Sequence, residues 1–363
     1  MNGTDHWQFC ERPDGTVEAA VDMGVPIGDL SMHPQHRPLK PPGYPWAISA
    51  IVPLAVLVPV QAGVARPMLL AERFWPGAGW IEIVLLTLYS LWLFRAACRT
   101  GNAALFRRRY WLFFTVVFFA QLLIGLYVSP AFLMSGELHL PVPALILAGP
   151  LYRGAGFFML ILLLATVLVA GPGWCSHLCY IGACDLAAAT ARRKPAPVSR
   201  HVTLAVRYAM LAAVVASAWL FNLGGVRAEV AFGAALAFGL LGAVIMALIS
   251  RRDGYMAHCT RYCPVGGFVS LLARLYPLRV TIDRSACDRC MACATRCRYD
   301  ALNGEDIASG RAGWNCTLCG DCLSVCAKKA MSVKRMGGER ELWPLYRAVV
   351  IGLHAAFIGL ARL

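Results

Sequence analysis

Long apolar runs, each near twenty residues, alternate with short polar segments over most of this chain. About twenty apolar residues in a helix cross the hydrocarbon core of a bilayer. The runs predict helices near 46–65, 79–98, 110–134, 153–171, 203–223, 230–250 and 344–362. The fourth has an apolar lead-in at 141–152, broken by Pro141, Pro143 and Pro150. The last is interrupted by His354 and fits a spanning helix or one lying along the membrane surface. Residues 1–45 carry no such run and end in HPQHRPLKPPGYP, the pattern of a flexible tail without a secretory signal.

Composition sharpens this picture. Of 363 residues, 58% are hydrophobic and 15% charged, more apolar material than a globular core of this size hides. The net charge of +14 raises the question of nucleic acid, but the position of the cations answers it. Arg95, Arg99 and Arg107–Arg109 fall between the second and third runs. Arg192, Arg193, Lys194 and Arg200 fall between the fourth and fifth, and Arg251 and Arg252 follow the sixth. The alternate loops carry Arg66, Arg73, Arg153 and Arg227. The positive-inside rule then puts the N-terminus, the 172–202 loop and the 251–343 segment in the cytoplasm, and no nucleic-acid partner is expected. The expected organisation is a tail at 1–45, a membrane hairpin at 46–109, a core at 110–278, a small domain at 279–340 and a C-terminal helix at 341–363.

The core contains an internal repeat. WCSHLCYIGACDL from Trp174 aligns with HCTRYCPVGGFVS from His258, so that Cys175 and Cys179 match Cys259 and Cys263, Ile181 matches Val265 and Gly182 matches Gly266. Each copy follows an apolar hairpin and ends in a short amphipathic run suited to the interface. A duplicated hairpin, its cysteine pair at the cytoplasmic mouth, is the simplest account. The i, i+4 spacing puts each pair on one side of a helical turn.

Fifteen cysteines in a small secreted protein would mean disulfides, but twelve of these fall in four compact groups on the side expected to be reducing. Cys287, Cys290, Cys293 and Cys297 are spaced C-x2-C-x2-C-x3-C, and Cys316, Cys319, Cys322 and Cys326 repeat that spacing. A cubane iron–sulfur cluster needs four thiolates, and in two-cluster ferredoxins the fourth cysteine of each run ligates the other cluster. The expected sets are Cys287, Cys290, Cys293 and Cys326 for one [4Fe-4S] cluster and Cys316, Cys319, Cys322 and Cys297 for the second. Paired zinc sites are the plainer alternative, but they leave the third and fourth cysteines of both runs unexplained. LRVTID before the runs and AMSVKR after them are strand-like and suited to pair. The fourth cysteine is usually followed by Pro, whereas here Arg298 and Ala327 follow.

Cys175, Cys179, Cys259 and Cys263 together could hold a third iron–sulfur cluster or act as redox dithiols, with His177 or His258 as ligands or proton carriers. Cys10, Cys98 and Cys184 have no counterpart and suit packing. No C-x2-C-H, Gly-x-Gly-x-x-Gly or Walker loop occurs, so covalent haem, Rossmann nucleotide binding and nucleotide hydrolysis are not indicated. Glu82, Gln121, Glu137 and His139 are the polar candidates for a quinone pocket, and Trp80, Trp92, Tyr110, Trp111, Tyr152 and Trp219 sit where interfacial belts form.

GPGWCSHLCYIGA, HCTRYCPVGGF and the two ferredoxin runs resemble the NapH/MauN group of ferredoxin-type membrane proteins, over roughly residues 110–335. They are similar also to the C-terminal half of NosR and to CcoG. Tyr180 departs from the group's Pro, which Pro264 keeps. The resemblance implies a bacterial inner-membrane protein; helices one, two and seven lie outside it, and with them the apolar runs give an α-helical polytopic fold of about seven helices with a small α+β ferredoxin-like domain. The resemblance implies electron relay between the quinone pool and a partner redox protein, as a component of a quinol dehydrogenase. Its alternative implication is an accessory role, supplying electrons for maturation of another enzyme's cofactor. Copper handling would predict Met- or His-rich external loops, and only scattered residues such as Met68 and His139 occur there.

Overall fold

Seven helical runs are long and apolar enough to cross a membrane: Tyr44–Gly63, Ala78–Arg99, Ala103–Tyr127, Phe158–Leu178, Arg200–Leu223, Ala228–Asp253 and Trp343–Leu360. The computed structural model describes residues 44–64, 68–100, 102–133, 140–196 and 198–360; the expected tail with Cys10, and Glu137 and His139, lie outside them. The chain is a polytopic helical membrane protein. Its helices are labelled α1 (Tyr44–Gly63), α2 (Ala78–Arg99), α3 (Ala103–Tyr127), α4 (Phe158–Ala170), α5 (Tyr180–Ala189), α6 (Arg200–Leu223), α7 (Ala228–Ile245), α8 (Pro264–Leu272) and α9 (Trp343–Leu360).

Two helices differ from the sequence reading. The α3 helix starts at Ala103, not Tyr110, because the Asn102 side chain caps it by accepting from the Leu105 amide at 3.0 Å. Arg107–Arg109 therefore lie inside a helix rather than in a loop. The α9 helix is not a surface helix: 61% of its apolar window is buried, more than in any other span, and His354 is fully enclosed. It packs against α1 and α2, which gives the bundle its third side.

The repeat forms two re-entrant hairpins. After Ala170, whose carbonyl accepts from Tyr346 Oη at 2.9 Å, Gly171 adopts φ 57° and reverses the chain. The segment then climbs back along α9. The His177 carbonyl lies 3.3 Å from His354 Nδ1, two turns beyond Tyr346, and Tyr180 stacks on Phe118 of α3. The second copy does the same beside α7: Ala257 donates to Ser250 Oγ, and Tyr262 Oη donates to the Phe238 carbonyl three turns further in. Each climb is a π-helical turn, Trp174–Leu178 or His258–Tyr262, ending in an extended cysteine: Cys179 at φ −82°, ψ 118° and Cys263 at φ −71°, ψ 117°. The i, i+4 helical pair expected from sequence is replaced by this π turn. Irregular backbone at membrane depth persists where protein surrounds it, and α5 and α8 bury most of their faces instead of lying at the interface.

Close approach explains the shared glycine. A Cβ on Gly182 would sit 2.8 Å from the Cys175 carbonyl oxygen, and one on Gly266 would sit 2.6 Å from that of Cys259. Beyond the bundle, β1 (Leu278–Ile282) and β2 (Met331–Arg335) pair antiparallel, Leu278 opposite Arg335, and close a ferredoxin-like domain over the 287–326 loops as their sequence suggests. Arg298, in the usual Pro position, donates to the Gly254 and Arg193 carbonyls and so ties this domain to the loops at the membrane edge. Replacing Gly266 with Val should cost about 1–3 kcal/mol by overpacking, read as a lower thermal midpoint in detergent. An unchanged midpoint would show that the hairpin has room to relax.

Candidate functional site

The ferredoxin runs wrap their cysteines through matched backbone strain. Among the described residues, five non-glycine residues have positive φ, and all lie within these runs or three residues past them: Arg289, Met291, Asp300, Leu318 and Lys329. Arg289 and Leu318 hold the same place in the two repeats, as do Asp300 and Lys329, and Met291 matches Gly320 at φ 78°. Residues in the left-handed region turn successive amides toward one side, which makes a cradle for an anionic group.

The thiols converge in a crossed arrangement. Cys297 lies within electrostatic reach of Cys316, Cys319 and Cys322, and these four thiols line one cavity of about 330 Å³. Cys326 reaches instead to Cys290 and Cys293, and Cys287 packs against the same core. Among the described residues no three His, Cys, Asp or Glu side chains are placed to share a single ion, as a zinc tetrahedron would require. A thiol-lined cavity fits the wider cage of a cubane. Burial pushes the Cys297, Cys316 and Cys319 thiols up to about 12, so metal ligation there displaces protons. Of the eight cysteines, Cys290 is exposed and Cys322 is buried, so one end of the domain faces outward and the other is enclosed.

The membrane cysteines also converge. Cys175 lies within electrostatic reach of Cys179 and Cys263, and Cys259 within reach of all three others. The Cys179 carbonyl accepts from Trp111 Nε1, one turn beyond Arg107 on α3. Tyr110 and Trp111 are accordingly buried and serve no interfacial belt, whereas Trp80, Trp92 and Trp219 are exposed. Cys98 meets Arg347, whose Nη2 lies 2.9 Å from its Sγ.

Two buried arginines join the membrane cysteines to the ferredoxin loops, and the sequence reading missed both. Arg107 of α3 donates to the Ser176 carbonyl at 2.7 Å and forms a two-pronged ion pair with Asp321 at 2.8 and 2.9 Å. Arg207 of α6 donates to the Thr260 carbonyl at 2.7 Å and to Asn315 Oδ1 at 2.9 Å. Ser176 and Thr260 occupy equivalent places in the repeats, one residue after Cys175 and Cys259. Ser176 Oγ also donates to the Thr317 carbonyl, which places the residue after Cys175 against the residue after Cys316. Burial pushes the Asp321 carboxyl up, but the Arg107 and Arg108 charges outweigh it and hold the group below the usual carboxylate range. Arg207 makes no direct carboxylate ion pair among the described residues; its titratable neighbours include Cys175, Cys259 and Cys263, with the Asp300 carboxylate also within electrostatic reach.

The quinone candidates are otherwise engaged: Glu82 accepts from the Ala71 amide at 2.8 Å, and Gln121 donates to the Phe132 carbonyl at 2.9 Å. His177 Nδ1 meets Tyr110 Oη at 2.7 Å, while neither nitrogen of His258 has a partner among the described residues.

A family described as a 4Fe-4S binding domain matches residues 152–194, the stretch carrying Cys175 and Cys179. The methylamine utilization ferredoxin-type protein MauN of Paracoccus denitrificans is 27% identical over 268 residues, 67% of this chain and 86% of that protein. The ferredoxin-type protein NapH of Haemophilus influenzae is 26% identical over 191 residues, 47% of this chain and 64% of that protein. The chain is similar to the NapH/MauN-type ferredoxin-type proteins. An uncharacterized protein of Methanocaldococcus jannaschii is 32% identical over 77 residues, 21% of this chain and 30% of that protein. No solved structure matches. The family match covers the first re-entrant hairpin and its Cys175 and Cys179.

Replacing Arg107 with Met leaves the buried Asp321 only its longer, 3.8 Å contact with Arg108 and should cost up to about 3–5 kcal/mol, read by thermal unfolding in detergent. The double replacement R107M/D321L should recover most of that loss. If it recovers none, the pair is not what holds the two domains together.

Proposed function

We propose that this protein is a quinone-linked electron relay of the bacterial inner membrane, with the ferredoxin-like domain on the cytoplasmic side, where the basic loops put it. Cys287, Cys290, Cys293 and Cys326 hold one [4Fe-4S] cluster, and Cys316, Cys319, Cys322 and Cys297 hold a second. Cys175, Cys179, Cys259 and Cys263 hold a third inside the bundle. Bound clusters supply one-electron carriers whose potentials the surroundings tune.

The observation that carries the third site is the charge of Arg207. Arg207 is buried with no carboxylate in direct contact, only Asp300 within electrostatic reach, so anionic groups among the cysteines beside it stabilise its charge. A disulfide is neutral and offers none, whereas four thiolates around a cubane carry net negative charge. The chain's own residues then set the order of the relay. Arg107, Arg207 and the Ser176–Thr317 hydrogen bond fix the membrane cysteines beside the enclosed end of the ferredoxin-like domain. The exposed Cys290 marks the opposite end, where a partner redox protein exchanges electrons.

Anaerobically purified protein should contain about twelve irons per chain; about eight would remove the third cluster. Cys297→Ser should damage the spectroscopic signal of the cluster held by Cys316, Cys319 and Cys322 and leave the other ferredoxin cluster intact; the reverse pattern would overturn the crossed assignment. A quinol added to the oxidised protein should reduce its clusters within the time of mixing experiments. Failure to do so, together with cofactor loss in a partner enzyme on deletion, would favour an accessory role in maturation.

A further inference from the structure

We infer that an aromatic cavity beside Cys179 is the binding site for the ring of a membrane quinone. The inference rests on the reading of the chain as a quinone-linked relay and names the place where that exchange occurs. The cavity holds about 500 Å³ of empty space, part of it open to the surroundings, and is lined by Phe114, Phe118, Trp174, Tyr180, Phe357 and Cys179, among others.

Three observations define the occupant. Phe114 and Phe118 lie about halfway along α3, and Phe357 lies on the buried α9, so a ligand that reaches the cavity travels through the hydrocarbon layer and is lipophilic. Five of the twelve lining residues are aromatic, and Tyr180 and Phe118 stack with centroids 3.8 Å apart and planes at 9°, a flat surface suited to another planar ring. Trp174 is 6% exposed, yet its Nε1–H has no acceptor among the described residues. An unsatisfied buried donor is destabilising, and a ligand carbonyl oxygen removes that cost. A lipid acyl chain satisfies the walls but not the indole, and water satisfies the indole but not the walls. A planar, apolar ring with carbonyl oxygens satisfies both.

The pseudo-symmetric position supports the choice. Beside Cys263 lies a second cavity, of about 310 Å³, with His258 in the place of Trp174. Its walls include Pro141, Val142, Pro143 and Pro264 and only one aromatic carbocycle, Phe238, so it lacks both the volume and the flat faces of the first. Cys179, one of the four membrane cysteines, lines the larger cavity itself. A ring bound there touches the proposed cluster site with no intervening residue.

The test uses the full chain with its iron, in nanodiscs, with a photoreactive azidoquinone as probe and decylubiquinone as competitor. The label should fall in peptides spanning 114–118 and 174–180. Trp174→Phe keeps the ring and removes the donor, and should weaken decylubiquinone competition about five- to tenfold at unchanged iron content. Leu162 of α4 also lines the cavity, so Leu162→Trp fills it and should abolish labelling. Should Leu162→Trp lose its iron through misfolding, the label map and Trp174→Phe still decide. Specific labelling elsewhere, or wild-type competition in Trp174→Phe, overturns the site while leaving the quinone link standing. A wild-type protein that takes up no label at any position overturns the site and the quinone link together.

Discussion

Two guanidinium groups buried between a membrane bundle and a ferredoxin-like domain hold this protein in one piece. Arg107 and Arg207 are each 4% exposed and reach the same position of their respective repeats, the carbonyl after the first cysteine. Placing a cation there is expensive unless its hydrogen-bond donors are fully used, and both side chains use theirs on backbone carbonyls and on the 315–321 loop. The two domains are thereby registered with one another. A loose ferredoxin domain on a tether would exchange electrons with the membrane site at varying distance, whereas one pinned through the residues next to Cys175, Cys259 and Cys316 keeps that separation constant.

The same contacts account for the placing of the membrane cysteines. A hairpin that enters a bilayer and turns back exposes backbone groups unless neighbouring protein takes them up. Here the Trp111 indole takes the Cys179 carbonyl, Thr115 takes that of Tyr180, and Arg107 and Arg207 take those of Ser176 and Thr260. Glycine at 182 and 266 lets the returning helix press against the descending one. Re-entrant path, satisfied backbone and the four-thiol cluster are thus one structural solution.

Much of this was legible in the chain. The apolar runs marked the spanning helices because their length is a property of the bilayer, and the cysteine spacing marked the ferredoxin loops because a cubane dictates it. The repeat was visible too, but not its backbone path, since a C-x3-C pair suits a helical turn as well as the π turn that forms. The arginines stayed hidden for a different reason. Arg107 precedes Cys175 by 68 residues and Arg207 precedes Cys259 by 52, so no fixed spacing links them, and Arg107 stands in a basic run that also suits topology control. Arg298 looked like a mere departure from the usual Pro; its hydrogen bonds to two membrane-edge carbonyls give it a docking role that only the tertiary structure reveals.

The repeats are alike in backbone and unlike in side chains, and the difference is concentrated at two aligned positions. Pro264 opens α8 with the residue best suited to a helix start, whereas Tyr180 opens α5 with a ring that lies flat on Phe118. Trp174 faces His258 across the same alignment. A symmetric pair of hairpins would offer two equal cavities to the cysteines between them. Aromatic residues at 174 and 180 instead give one side more volume, flatter walls and an unused hydrogen-bond donor. Duplication therefore supplies the ligand cage, which needs both halves alike, and divergence supplies a ligand pocket, which needs them different.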